Sequence, residues 1–165
     1  MHINPERSSR PDYPLLVRQV ESILEGERKL MANAAQFSAL VYDTLADLNW
    51  AGFYFTVPAR KGDGKDLLVG PFQGKPACAR IPFGRGVCGT TAVERKTIVV
   101  PDVHAFPGHI ACDSASSSEI VIPVIKDGEL LGVFDIDSPL PNRFSEEDRA
   151  GLEEMLAAFI DGTDF

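Results

Sequence analysis

Two apolar runs, Glu119 to Lys126 and Glu129 to Asp137, meet at Asp127-Gly128, and no other stretch restricts the fold of this chain as much. An Asp-Gly pair between such runs predicts a tight hairpin, because both turn residues must hold a positive φ. An antiparallel pair follows, and apolar residues at most positions of both runs predict a central place in a sheet covered on both faces. Counting outwards from Lys126 opposite Glu129 brings Glu119 close to Asp137. Asp135 and Asp137 stand two apart and therefore share a face of the strand. Three acids converge at one end of the hairpin, a costly arrangement unless a cation or a proton satisfies them. They suit an ammonium group, and crowding raises their pKa values so that one can keep a proton for donation. A plainer reading is a set of solvated edge residues, or a turn cap onto Ser138.

The remaining chain supplies cover for this sheet. Residues 1–11 are polar and read as a loose, flexible N-terminus. From Asp12 a helical pattern places Leu15, Leu16, Gln19, Val20, Ile23 and Leu24 mostly on one face, with a break at Gly26. A second helix is predicted over 27–48, with Leu30, Ala34, Phe37, Leu40, Val41 and Leu45 as its buried stripe. The aromatic segment 49–57 reads as a strand, with Trp50 and Tyr54 on one face and Phe53 and Phe55 on the other. One face suits the core. The other suits either core packing or the wall of a small pocket for an apolar or methyl-bearing ligand.

A polar loop is predicted over 59–66, short strands over 67–69, 78–82 and 97–100, and a short helix over 87–95. Residues 102–118 show no periodicity, and a loop of that length in a compact domain is usually functional or disordered. Ser145-Glu146-Glu147-Asp148 resembles a capping box and opens a final helix buried through Leu152, Met155, Leu156 and Phe159. The order helix, helix, strands, short helix, strands, helix predicts an α+β domain over 12–165, with helices packed on a central antiparallel β-sheet.

Composition narrows the chemistry. The chain has 165 residues, 44% of them hydrophobic, enough for one sizeable core. Its formal charge is −8, from 16 basic and 24 acidic residues, which disfavours phosphate backbones and anionic lipid and predicts neither nucleic-acid nor membrane partners. No apolar stretch reaches the roughly 18 residues of a membrane helix, and the N-terminus has no signal-peptide pattern, so a cytoplasmic protein is predicted. Three cysteines, Cys78, Cys88 and Cys112, are an odd number for a secreted disulfide scaffold. In the cytosol, clustered thiols are more often catalytic, redox-active or metal-bound.

Each cysteine also reads as a small buried apolar residue. Cys88, between glycines, suits that reading well. Cys112 suits it poorly, because Asp113 and four serines follow it in a polar loop that would stabilise a thiolate. A zinc site is disfavoured, since no two cysteines stand two to four residues apart. His104 and His109 read as loop-packing or substrate-adjacent groups. Gly84-x-Gly86-x-x-Gly89 matches a dinucleotide fingerprint in form only, because the required βαβ unit and spaced acid are missing. Tight turning with close backbone packing explains those glycines better.

Taken together, NWAGFYF, LLVGPFQGKPACARIPFGRGVCGT, PDVHAFPGHIACDSASSSEIVIPV, GVFDIDSP and RFSEEDRAGLE resemble the free methionine-R-sulfoxide reductases, which are GAF-domain enzymes. The resemblance runs from about Asn49 to Leu152. It implies a GAF-like domain with a ligand cavity on its sheet, a homodimer, thioredoxin as reductant, and no metal or organic cofactor. It also implies roles: Cys112 as nucleophile, Cys78 as resolving cysteine, and Cys88 as a third family cysteine with a less fixed part in recycling. Glu119, Asp135 and Asp137 match acids around the substrate's amino group and sulfoxide oxygen, and Trp50 and Tyr54 match an aromatic wall for its methyl group. The rival expectation is a non-catalytic GAF sensor for a small molecule.

Overall fold

The structure, a computed structural model, describes residues 10–109 and 114–165. Its centre is a six-stranded, wholly antiparallel sheet that curls around one side. The strands are β1 (Trp50–Pro58), β2 (Lys65–Gly74), β3 (Arg80–Pro82), β4 (Ile98–Val100), β5 (Ser118–Lys126) and β6 (Glu129–Ser138), in the spatial order β3-β2-β1-β6-β5-β4. The predicted hairpin is β5–β6, and Asp127 and Gly128 turn it with φ of 51° and 78°. A bulge between Val124 and Ile125 shifts the count by one, so that Glu119 lies directly opposite Asp137. β6 sits between β1 and β5, the central position that its apolar composition predicts.

Among the described residues, four α-helices cover the sheet: α1 (Tyr13–Ile23), α2 (Leu30–Thr44), α3 (Gly86–Glu94) and α4 (Glu146–Asp161). α1, α2 and α4 close one face over Phe53, Ile120, Phe134 and Ile136, which pack against Phe37, Leu152, Met155 and Phe159. α3 and the loops around it close the other, over Trp50, Tyr54, Val121 and Val133. Strict alternation along β6 explains the division: Phe134 and Ile136 enter the first core, while Val133, Asp135 and Asp137 face α3. α4 begins with the predicted capping box, Ser145 and Asp148 each accepting from the other's backbone N–H. Asp148 also accepts from the Tyr13 hydroxyl at 2.6 Å and from buried Arg143 at 3.1 Å, joining α1 to the start of α4.

Several boundaries differ from the sequence expectation, each for a local reason. α2 starts at Leu30, because the Glu27 carboxylate accepts from the backbone of both Arg28 and Lys29 and holds that segment out of the helix. β2 extends over ten residues, since it pairs along all of β1 from Trp50 opposite Gly74 to Pro58 opposite Lys65. It therefore takes Lys65 and Asp66 from the predicted loop. The third strand is shorter than 78–82. A 3₁₀ turn, Val103–Ala105, capped by Asp102, lies within the stretch expected to be irregular.

Gly132 lets β6 lie against β1. A Cβ there would come within 2.2 Å of the Tyr54 carbonyl oxygen, backbone against backbone in the middle of the sheet. Gly132→Ala is expected to destabilise the protein by about 1–3 kcal/mol through overpacking. Urea unfolding checks this; an unchanged midpoint would show that the two strands have room to part.

Candidate functional site

A small cavity opens on the α3 face of the sheet, where the ends of β1, β5 and β6 meet the loop between β2 and β3. Strand register assembles its floor. Trp50 on β1 lies opposite Asp137 on β6, and Asp137 lies opposite Glu119 on β5, giving one row across three strands. The next row on the same face places Gly52 opposite Asp135. The three acids predicted to converge therefore do so, together with Trp50 and Tyr54, and all five line the cavity.

Trp50 stacks between Tyr54 and Phe72, with ring centroids 5.7 and 5.1 Å away. Gly52 makes this possible: a Cβ there would sit 2.9 Å from the Trp50 ring and 2.3 Å from the Phe72 Cβ. The polar ends of the two rings fasten the β2–β3 loop. Trp50 Nε1 donates to the Lys75 carbonyl at 3.1 Å, and the Tyr54 hydroxyl donates to the Cys78 carbonyl at 3.0 Å. The aromatic wall is thus also the anchor of the segment that carries Cys78. Burial, with the Asp135 charge next, pushes the Tyr54 phenol up, so it stays a neutral donor.

Cys88 enters from the first turn of α3. Its thiol is free, fully buried and 4.0 Å from Glu119 Oε1. Cys88, Glu119 and Asp135 offer atoms that all lie within 4.8 Å of one another. Burial raises the Glu119 carboxyl well above its ordinary value, and the neighbouring Asp135 and Asp137 raise it further. Asp135 is pushed up to about 6 by burial, opposed by hydrogen bonding from Glu119 and Cys88. The shifts favour the protonated form of Glu119, set beside an Asp135 carboxylate that accepts from it. Burial, and then Asp135 and Glu119, push the Cys88 thiol up as well, so it is no thiolate and no nucleophile at neutral pH.

His109 Nε2 stands 3.8 Å from Glu119 Oε2. Burial, and then His104, lower the His109 pKa. The imidazole is therefore uncharged at neutral pH, and this approach is not an ion pair there. Of the two other cysteines, Cys78 takes part in a disulfide. Cys112 lies outside the described residues.

Sequence reasoning did not single out Lys75 and Arg85, which are exposed and line the cavity rim. Arg85 is the N-cap of α3, whose first turn has no side-chain cap. The backbone N–H groups of that turn lack intrahelical acceptors and carry the positive end of the helix dipole. The cavity thus has an acidic floor and a positive edge, a pairing that suits a zwitterion. The signal for the edge was present in GRGVCG, but only the fold shows that this turn faces the three acids.

A curled antiparallel sheet with helices on both faces and a ligand-sized cavity beneath a short helix defines a GAF domain, and the GAF domain model matches residues 18–161. Over 144 residues the chain is 56% identical to Protein YtsP of Bacillus subtilis, covering 87% of this chain and 86% of that one. It is 47% identical over 145 residues to the free methionine-R-sulfoxide reductase of Escherichia coli, covering 88% and 84%. The structure of fRMsr of Staphylococcus aureus in complex with substrate superposes with a TM-score of 0.83 at 44% identity, covering 98% of this chain and 99% of that one. The chain belongs to the free methionine-R-sulfoxide reductase family.

Proposed function

We propose that this protein reduces free methionine-R-sulfoxide to methionine, as a thiol enzyme whose nucleophile is Cys112. One observation carries the reading: two buried carboxyl groups, Asp135 and Glu119, the second with its pKa raised by burial and by its acidic neighbours, beside an aromatic wall in one small cavity. Asp135 and Asp137 bind the substrate's ammonium group. The uncapped start of α3, with Arg85 and Lys75 at the rim, receives its carboxylate. Trp50 and Tyr54 receive the methyl group. A methionine within a polypeptide has neither free terminus, so this arrangement selects the free amino acid.

The Cys112 thiolate attacks the sulfoxide sulfur and forms an S–S bond, while Glu119 protonates the sulfoxide oxygen to a hydroxyl. That hydroxyl passes to the Cys112 sulfur as the S–S bond and the substrate's S–O bond break, which releases methionine and leaves Cys112 as a sulfenic acid. The Cys78 thiol condenses with it, releasing water and forming a disulfide. A dithiol of the thioredoxin type then reduces the disulfide by exchange. Cys78 taking part in a disulfide while Cys88 stays a free thiol supports Cys78, rather than Cys88, as the resolving residue. Cys88 belongs to the packing around Glu119, and any part it takes in recycling comes after the first disulfide. The reading extends, on family grounds, to one GAF domain over 12–165, a homodimer and a cytoplasmic location. Among the described residues, no helix is long and apolar enough to cross a membrane.

Separated R and S sulfoxides of free methionine, incubated with the protein and a dithiol, test the proposal. Consumption of R alone supports it, and consumption of neither leaves a ligand-binding GAF domain. The same assay reads Asp135. Because its pKa is about 6 and only the ionised form binds ammonium, kcat/KM is expected to fall as pH drops through 6. Asp135→Asn should lower kcat/KM at pH 7 and remove that limb. A limb that persists in the variant would assign it to another group.

A further inference from the structure

The geometry points to a second occupant for this cavity: a thiophilic divalent cation, of the Zn²⁺ type, held by Cys88, Glu119 and Asp135, whose ligand atoms all lie within 4.8 Å of one another. The donors are a thiol sulfur and two carboxyl oxygens, ligand classes that zinc takes in proteins, with water to fill the fourth position. Zinc–ligand bonds of about 2.0–2.3 Å in a tetrahedron place ligand atoms roughly 3.3–3.5 Å apart. Cys88 Sγ is 4.0 Å from Glu119 Oε1. Closure by about half an ångström would therefore bring this pair to coordination spacing.

A second observation, separate from the clustering, is that Asp135 Oδ1 is buried and has no hydrogen-bond partner among the described residues. Asp135 is 6% exposed and lines the cavity. Among the described residues, neither Glu119 nor Asp135 pairs with a lysine or arginine. An unpaired carboxylate oxygen deep in a cavity without a compensating cation is costly unless something cationic enters. An ammonium group answers that need by charge alone. Only a thiophilic metal would also engage Cys88, which the reductase reading leaves without a chemical step on the substrate. Such an ion and the substrate's ammonium would compete for Asp135, so occupation by metal blocks the cavity.

Cd²⁺ is the probe, because a thiolate–cadmium bond gives an ultraviolet charge-transfer band that needs no turnover to read. The Cys78→Ser/Cys112→Ser double variant leaves Cys88 as its one cysteine. The expected result is one Cd²⁺ per chain with the band present. Adding Cys88→Ala should abolish the band, and adding Asp135→Asn should weaken affinity at least about tenfold, the loss that even outer-shell partners produce. Wild-type protein with its accessible thiols alkylated under native conditions gives the same reading should the double variant fold poorly. No band in either protein overturns the proposal, as does a band whose affinity is unchanged by both Asp135→Asn and Glu119→Gln. Binding of Cd²⁺ is read separately from reductase activity: a protein that binds metal without reducing sulfoxide would sink the functional reading and leave this one standing.

Discussion

Cys112→Ser is expected to abolish steady-state reduction of free methionine-R-sulfoxide, with kcat down by at least about four orders of magnitude. A serine hydroxyl at neutral pH is a far weaker nucleophile than a thiolate, and the other thiols do not replace it. Cys88 is buried, with a pKa raised by burial and by two neighbouring acids, so it stays protonated at neutral pH. The matching variant, Cys78→Ser, should still release about one methionine per chain in a single turnover and then stall. A sulfenate-trapping reagent added at that stage should label Cys112, and mass spectrometry of the tryptic fragments locates the label. Full turnover in Cys112→Ser, or a label on Cys88, would move the chemistry to another sulfur.

How far this site was legible in the sequence depends on the range of the contacts that build it. Asp127-Gly128 specified the turn locally, and a short count outward placed Glu119 beside Asp137, as the pairing of β5 with β6 has it. Ser145 and Asp148 announced the start of α4 in the same local way. The alternation of Trp50, Phe53, Tyr54 and Phe55 divided β1 correctly between the two cores. The alignment of Trp50 with Asp137 was not legible, because nearly ninety residues separate them, and their register comes from sheet assembly rather than from a turn. Gly52 was passed over for the same reason: its need to be glycine comes from Phe72 on a neighbouring strand and from the tilt of the Trp50 ring. Lys75 and Arg85 look like solvated charges until the loop and the α3 N-terminus are folded over the acids.

Glu119→Gln is expected to cut kcat by roughly 10²–10⁴-fold, the range for removing a general acid. Glutamine keeps the shape and can still hydrogen-bond the sulfoxide oxygen, but it has no proton to give. The wild-type enzyme should also lose activity at high pH as Glu119 passes its raised pKa, a limb that the glutamine variant lacks. Stability separates this role from a structural one, and the sign works in the opposite direction. A carboxyl whose folded pKa lies above its unfolded value of about 4.5 favours the folded state below that value. As pH rises through the interval between the two, the unfolded chain loses its proton first and folding becomes progressively less favourable. Neutral glutamine carries no such penalty, so Glu119→Gln should unfold at a higher urea concentration than wild type at pH 8 while turning over more slowly. A buried acid retained at the expense of stability is what a proton donor requires. A variant that lost stability and activity together would instead make Glu119 a packing residue, and the proton would have to come from Asp137.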